Sequence, residues 1–285
     1  MQDWAKLAAK VLAVVLLGGF LGATLVRIAP GFGVDEEELD TRLSDQSIQQ
    51  LRAQQPPESL ASFYLNYLSH MVHGDLGISR TLQVPVSKLL VERFPETIKS
   101  VGFGLALGWS LGLSLALATV LSRAWFIDAF ASLLAALLLC LPAAVLALLF
   151  VLARAPAQLI LGLVVFPKIY RYSRNLLSRS SSLPHVLTAR AKGLGNIRIL
   201  LWHVLPTAVP QLLALAGVSV SLAFTASIPV EALCDLPGIG QLAWKAALGR
   251  DLALLVNLTM IVTLVTMLAN SASDWAGHRF RTAAV

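Results

Sequence analysis

Long apolar runs dominate the chain, and polar residues collect in the stretches between them. A helix needs about 20 apolar residues to cross roughly 30 Å of hydrocarbon. Five segments have that length, at residues 7–28, 100–121, 125–153, 199–230 and 252–273. Lys10 lies near the start of the first and snorkels; Asp128 is the single charge of the third, near its beginning. In the fourth, Pro206 and Pro210 predict where the helix begins. A sixth candidate is short, with 13 residues (155–167) between Arg154 and Lys168. It crosses only if the helix continues through Lys168, Ile169, Tyr170 and Arg171, with the cations reaching for headgroups. Within the long polar stretch after the first run, Leu60, Phe63, Tyr64, Tyr67, Leu68 and Met71 recur at helical spacing. They predict an amphipathic helix over 60–76, packed on the bundle or lying in the interface. No internal repeat and no low-complexity tract is evident.

Composition agrees with the pattern. Of 285 residues 56% are hydrophobic and only 13% charged, against about a quarter charged in a soluble domain. Mean hydropathy is +0.73, which excludes a disordered chain. The net charge of +6 and pI near 9.6 are a small excess for this length, and no nucleic-acid partner is expected. The charge is split by region. Residues 168–203 hold seven Lys/Arg and no acid, whereas residues 30–96 hold ten acids, five of them within 35–40, against five bases. Positive loops stay in the cytoplasm. Six spans put 168–203 on the same side as Lys6, Lys10, Arg123, Arg279 and Arg281; five would put it outside. The expected fold is therefore all-α and membrane-embedded, with six transmembrane helices and both ends cytoplasmic. Its parts are a first helix (1–29), an extracytoplasmic loop with the amphipathic helix (30–97), a five-helix core (98–275) and a cytoplasmic tail (276–285). The first run is too long for a cleaved signal and ends in Arg27 and Pro30. Cys140, mid-run, and Cys234, in a loop, make no disulfide framework; Cys140 reads as a small buried hydrophobe.

Catalytic chemistry is thin. His70 and His73, with Asp75 behind them, lack a third ligand at metal spacing. Glu231 and Asp235 flank Cys234 with no base or nucleophile nearby, and read as loop solvation. No nucleotide-binding, zincin or serine-hydrolase motif occurs, so ATP, if used, is bound by another chain. Gly104, Gly108 and Gly112 form a small-residue ladder, for packing inside the bundle or against a partner. The basic loop is more specific. Over 183–210 it reads LPHVLTARAKGLGNIRILLWHVLPTAVP. Pro184 opens a helix, Gly193 and Gly195 break it, and a second begins near Ile197 with Arg198, Ile199, Leu200, Trp202 and Val204. Two short helices joined at Gly193 would offer Thr188, Ala189 and Ala191 to a partner's groove; a basic loop resting on anionic membrane lipid is the alternative.

The segment ARAKGLG (189–195), with Thr188 before it and HVLPTAVP (203–210) after it, resembles the EAA loop of binding-protein-dependent ABC-importer permeases, whose transmembrane domain is MetI-like. GDLGIS (74–79), PVSKLLVERFPETI (85–98) and VEALCDLPGIGQLAWKAALGRD (230–251) are similar to the oligopeptide, dipeptide and nickel branch. So are Glu231, Pro237, Gly238, Ile239 and Gly240 in the last of these, and the late Asn270 and Asp274. Pro184 and His185 replace an acidic and an aromatic residue usual there, the 154–156 connection is short, and the first run ends in PGFG. The resemblance implies a transport subunit of the bacterial inner membrane that is not an enzyme and binds no cofactor or metal. ATP and Mg would sit on two partner ATPase subunits. A second, related permease and an extracytoplasmic solute-binding protein would complete the importer, with a peptide or related solute. The coupling segment would be Thr188, Ala189, Arg190, Ala191, Lys192, Gly193, Leu194 and Gly195, with Gly193 as the bend and Ala189 and Ala191 as the contact surface. Arg190 and Lys192 would set orientation or meet acidic ATPase residues. A stand-alone secondary transporter or channel is the alternative, disfavoured by the scarcity of ionisable residues within the spans.

Overall fold

The computed structural model describes residues 2–28, 60–122 and 124–283. The acidic 35–40 segment and Arg123 lie outside them. Eleven helices are described: α1 (Gln2–Ile28), α2 (Leu60–Val72), α3 (Val86–Ser122), α4 (Trp125–Cys140), α5 (Ala143–Leu152), α6 (Gln158–Ser181), α7 (Pro184–Ala191), α8 (Asn196–Ile199), α9 (Leu205–Leu233), α10 (Ile239–Leu248) and α11 (Leu252–Ala283). No strand forms among the described residues; Ile78 and Pro85 make one isolated antiparallel bridge. Four helical stretches among them are long and apolar enough to cross a bilayer, within α1, α3, residues 196–233 and α11.

The expected third span is not one helix. α4 and α5 meet at a 95° bend. Pro142 withholds an N–H and pushes the residue before it out of the α region, and Leu141 is extended at φ −89°, ψ 119°. If this bent pair is one span, the count rises to five. Pro206 sits in the first turn of α9, as expected, and Pro210 lies inside it, while the helical path of the span starts earlier, at Asn196. A π-helical turn at Leu200–Val204 lies just before the proline, and the widened turn accommodates a residue without an N–H. α3, for its part, starts well before the expected residue 100 and carries Pro95 inside it.

The chain divides into two compact units, Met1–Val91 with Lys245–Thr263, and Glu92–Trp244 with Leu264–Val285. In the first unit α2 packs on α1, so the amphipathic stripe faces protein. Tyr64 and Tyr67 are buried, the Tyr64 hydroxyl donates to the Leu16 carbonyl at 2.6 Å, and its ring meets Phe20 edge-on at 5.5 Å. Gly18, Gly19 and Gly22 bring α1 close to α11; a Cβ on Gly19 would sit 2.8 Å from Met260. Asp251 is fully buried and caps α11 by accepting from Leu254 N at 3.1 Å. The same carboxylate takes the Ser79 hydroxyl at 2.5 Å and Thr81 N at 3.1 Å, and Asn257 donates to the Leu76 carbonyl at 3.0 Å. These bonds pin the GDLGIS turn to the head of α11.

The second unit is built around α6, the helix whose sequence was least apolar. Ile160, Leu161, Val165, Ile169, Tyr170 and Leu177 are fully or almost fully buried, packed on α4 and α9. The glycine ladder of α3 is used here, inside the chain. A Cβ on Gly104 would lie 2.5 Å from that of Leu161, and one on Gly112 2.9 Å from Ile169. Asp128 of α4 takes two donors of the Arg174 guanidinium, one of them Nε at 2.9 Å, with the Tyr170 hydroxyl 3.4 Å away. A basic helix with one neutralised cation can therefore sit in the middle of the unit.

Gly104→Leu is expected to lower the stability of the purified chain by about 1–3 kcal/mol through overpacking. Gly102→Ala, where nothing lies within 4 Å of an added Cβ, is expected to be neutral or mildly stabilising. Thermal unfolding followed by size-exclusion chromatography in detergent separates the two.

Candidate functional site

The basic loop folds as two short helices around a glycine. Pro184, at the first turn of α7, needs no hydrogen-bond partner for a missing N–H and has a preset φ. α7 ends when Gly193 takes φ +78°, a left-handed turn that costs glycine nothing, and Leu194 N returns to the Ala189 carbonyl at 3.3 Å. Gly195 is extended rather than left-handed and leads into α8, with Ile199 N bonded to its carbonyl at 3.0 Å. His185 Nε2 lies 3.2 Å from the His203 carbonyl and ties the two arms together.

Burial sorts the predicted contact residues into two sets. Val186 (0% exposed) and Ala189 (4%) join one apolar cluster with Leu177 of α6, Ile199, Leu200 and Val204. Ala189 is thus an anchor, contrary to its expected place on the contact surface, because it lies three residues from Val186 and shares its inward face. Thr188, Ala191, Lys192, Gly193 and Gly195 are open, Arg190 and Leu194 half-buried. The Arg190 Nε is buried with no partner among the described residues. Beside the small residues stand large apolar ones that sequence reasoning had not assigned to the surface: Leu187, Ile197, Leu201 and Trp202, the last 73% exposed. Ile197, Leu201 and Trp202 line an open groove of about 930 Å³ with Ala118 and Leu121 of α3. Trp202 faces out because it stands two residues from each of the buried Leu200 and Val204, on the opposite side of the helix.

A second constellation lies at the far end of α9. Glu231 is 1% exposed, which overturns its reading as a solvated loop acid. Its Oε2 accepts from Gly240 N at 2.7 Å, in the first turn of α10, and from the Thr97 hydroxyl at 3.1 Å. Thr97 Oγ1 in turn accepts from Ile239 N at 2.8 Å. One carboxylate thus joins α3, α9 and the first turn of α10. The glycines of LPGIG make room for it: a Cβ on Gly238 would lie 2.1 Å from Glu231 Oε2, and one on Gly240 2.8 Å from it. Pro237 is exposed on the turn, and Asp235, at φ +51°, accepts from Gln241 Nε2 at 2.6 Å. Each Nδ1 of His70 and His73 is bonded to the carbonyl four residues back, and no metal-holding group occurs among the described residues.

Residues 104–282 match the model of the family described as binding-protein-dependent transport system inner membrane component. The chain belongs to this family. It is 30% identical over 222 residues to the oligopeptide transport system permease protein OppB of Escherichia coli (strain K12), covering 70% of this chain and 72% of that one. A relative from Brucella suis biovar 1 (strain 1330), named as a candidate peptide permease, is 26% identical over 283 residues, with 88% and 89% covered. Among solved structures, a chain of the MetNI methionine ABC transporter in an inward-facing conformation superposes with a TM-score of 0.58 at 18% identity, covering 68% of this chain and 97% of that one. The fold is MetI-like. This permease is an ABC-importer subunit of the bacterial inner membrane and not an enzyme; ATP hydrolysis belongs to a separate ATPase.

Glu231→Ala strands the Thr97 hydroxyl and the Gly240 N–H, and is expected to cost about 1–3 kcal/mol. Glu231→Gln keeps an acceptor and is expected to cost less. Gly238→Ala is expected to abolish the fold of the turn, read as faster proteolysis between α9 and α10.

Proposed function

We propose that this permease couples peptide passage to ATP hydrolysis through residues 183–205, with Thr188, Ala191, Lys192 and Gly193 as the ATPase contact and Ala189 as its anchor. The observation that carries the reading is the division of α7 into a buried side, fused to the bundle core, and an open side of small residues. A helix packed into the core moves with the bundle, whereas a loop lying on lipid would move by itself. Leu187, Ile197 and Trp202 add apolar surface of the kind a partner covers. The unpartnered Arg190 Nε supports an acidic residue on the ATPase side.

Peptide is the solute class supported by the names of the relatives. The complete importer consists of two ATPase subunits, this permease, a second related permease and an extracytoplasmic binding protein, with ATP and Mg held by the ATPases. α6 is the sixth span. This puts both ends of the chain and the 183–205 loop in the cytoplasm, and the LPGIG turn with Glu231, Pro237, Gly238 and Gly240 outside. The parts remain 1–29, 30–97, 98–275 and 276–285.

The test is purification of the assembled complex through this chain. Ala191→Glu is expected to reduce retained ATPase at least about ten-fold while leaving thermal stability unchanged, since exposed substitutions cost little. Ala189→Glu is expected to lose both, because it buries a charge. Full retention of the ATPase by Ala191→Glu together with Leu187→Glu would sink the docking site.

A further inference from the structure

α6 has one buried side and one open side. Arg171, Asn175 and Ser178 are exposed at intervals of four and three residues, and Val164 and Lys168, earlier on the same stripe, are partly covered. Lys168 is partly open and, among the described residues, has neither a hydrogen-bond nor an ion-pair partner, unlike Arg174 with its Asp128.

Its depth follows from the glycine ladder. α3 and α6 run side by side, Gly104 against Leu161, Gly108 against Val165 and Gly112 against Ile169. Lys168 is therefore level with Leu111. From Leu111 to the end of α3 at Ser122 is eleven residues, about 16 Å at the helical rise. With the end of α3 taken as the edge of a hydrocarbon layer about 30 Å thick, Lys168 lies near the middle of that layer. A lysine stem is too short to carry its ammonium from there to the headgroups. Other polar groups share the layer. Trp109 Nε1 donates to Ser219 Oγ at 3.0 Å, and Asn270 Nδ2 to Ser221 Oγ at 3.4 Å, all within about four residues of the same level. An ionisable residue at mid-depth faces either water or a countercharge.

We propose that Lys168 lines the water-filled path and receives the carboxylate of the passing solute at the bilayer midplane. This rests on the reading of the chain as a peptide permease: every unmodified peptide ends in a carboxylate, and an ammonium in a sheltered site holds one by a charge-assisted hydrogen bond. Arg171, one turn further along the open stripe, presents the next cation toward the Ser181 end of α6.

The test uses the assembled importer, with its ATPases and binding protein, in proteoliposomes. Uptake of tri-alanine free acid and of tri-alanine amide is compared for the native chain, Lys168→Met and Lys168→Arg, with ATP hydrolysis recorded alongside. Lys168→Met is expected to slow the acid about ten-fold and the amide less than about two-fold, while Lys168→Arg keeps most of the acid uptake. Equal loss of both solutes overturns the subsite, assigning Lys168 to packing or to a countercharge on the second permease. Undiminished uptake of both also overturns it. A second measurement needs no amide delivery. Lys168→Cys, in a Cys140→Ser, Cys234→Ser background, is expected to react with a membrane-impermeant methanethiosulfonate, and tri-alanine free acid to slow that reaction; no reaction overturns the proposal. If native importer takes up neither tripeptide while its ATPase stays attached and active, the carboxylate subsite falls and the permease reading stands. If the native chain retains no ATPase, the permease reading itself falls.

Discussion

The close approach of α3 to α6 is the contact on which the second unit depends. Gly104, Gly108 and Gly112 remove every side chain from one stripe of α3, so Leu161, Val165 and Ile169 of α6 settle against bare backbone. In lipid, where apolar surfaces gain little by meeting each other, such close packing is what holds helices together. It has a particular value here because α6 is poor in apolar length. Its cations would be costly on an isolated helix in hydrocarbon. Packed on α3, α4 and α9, the helix buries its apolar side together with Ser173 and Ser180, hands Arg174 to Asp128, and leaves Arg171, Asn175 and Ser178 open.

Both ends of this frame are fastened, each by a different kind of contact. At one end Val186 and Ala189 root α7 in the same apolar cluster as Leu177 and Val204, so the short helix is an extension of the core. At the other, Glu231 and Thr97 collect the end of α9, α3 and the start of α10 on a few hydrogen bonds. Apolar packing suits the first under the proposed coupling role, in which it would resist a push without fixing a precise angle. Directional bonds suit the second, where a tight turn has to be held in one conformation. The glycines differ accordingly. Gly193 is needed for its left-handed φ in open space, while Gly238 is needed because a carboxylate occupies the place of its Cβ.

Much of this was legible in residue order. Apolar runs located α1, α3, α9 and α11, the stripe of Tyr64 and Tyr67 located α2, and Pro184 with Gly193 located the turn between α7 and α8. These features depend on a local period, a ring or a missing Cβ, each readable within a few residues. The resemblance to the family was legible for the same reason: contiguous segments carry it.

What tertiary structure decided were matters of facing. Ala189 and Ala191 are the same residue type two positions apart, yet one is an anchor and the other open, which only the position of Leu177 and Val204 determines. Glu231 and Asp235 look alike in sequence, but α3 brings Thr97 to the first and leaves the second in solvent. The break at Pro142 and the π-turn before Pro206 show two answers to a missing N–H, a bend in one case and a widened turn in the other. Hydropathy along the chain establishes that a segment prefers lipid or protein to water. Which of the two it meets, and on which side, depends on helices distant in sequence, and therefore on the fold.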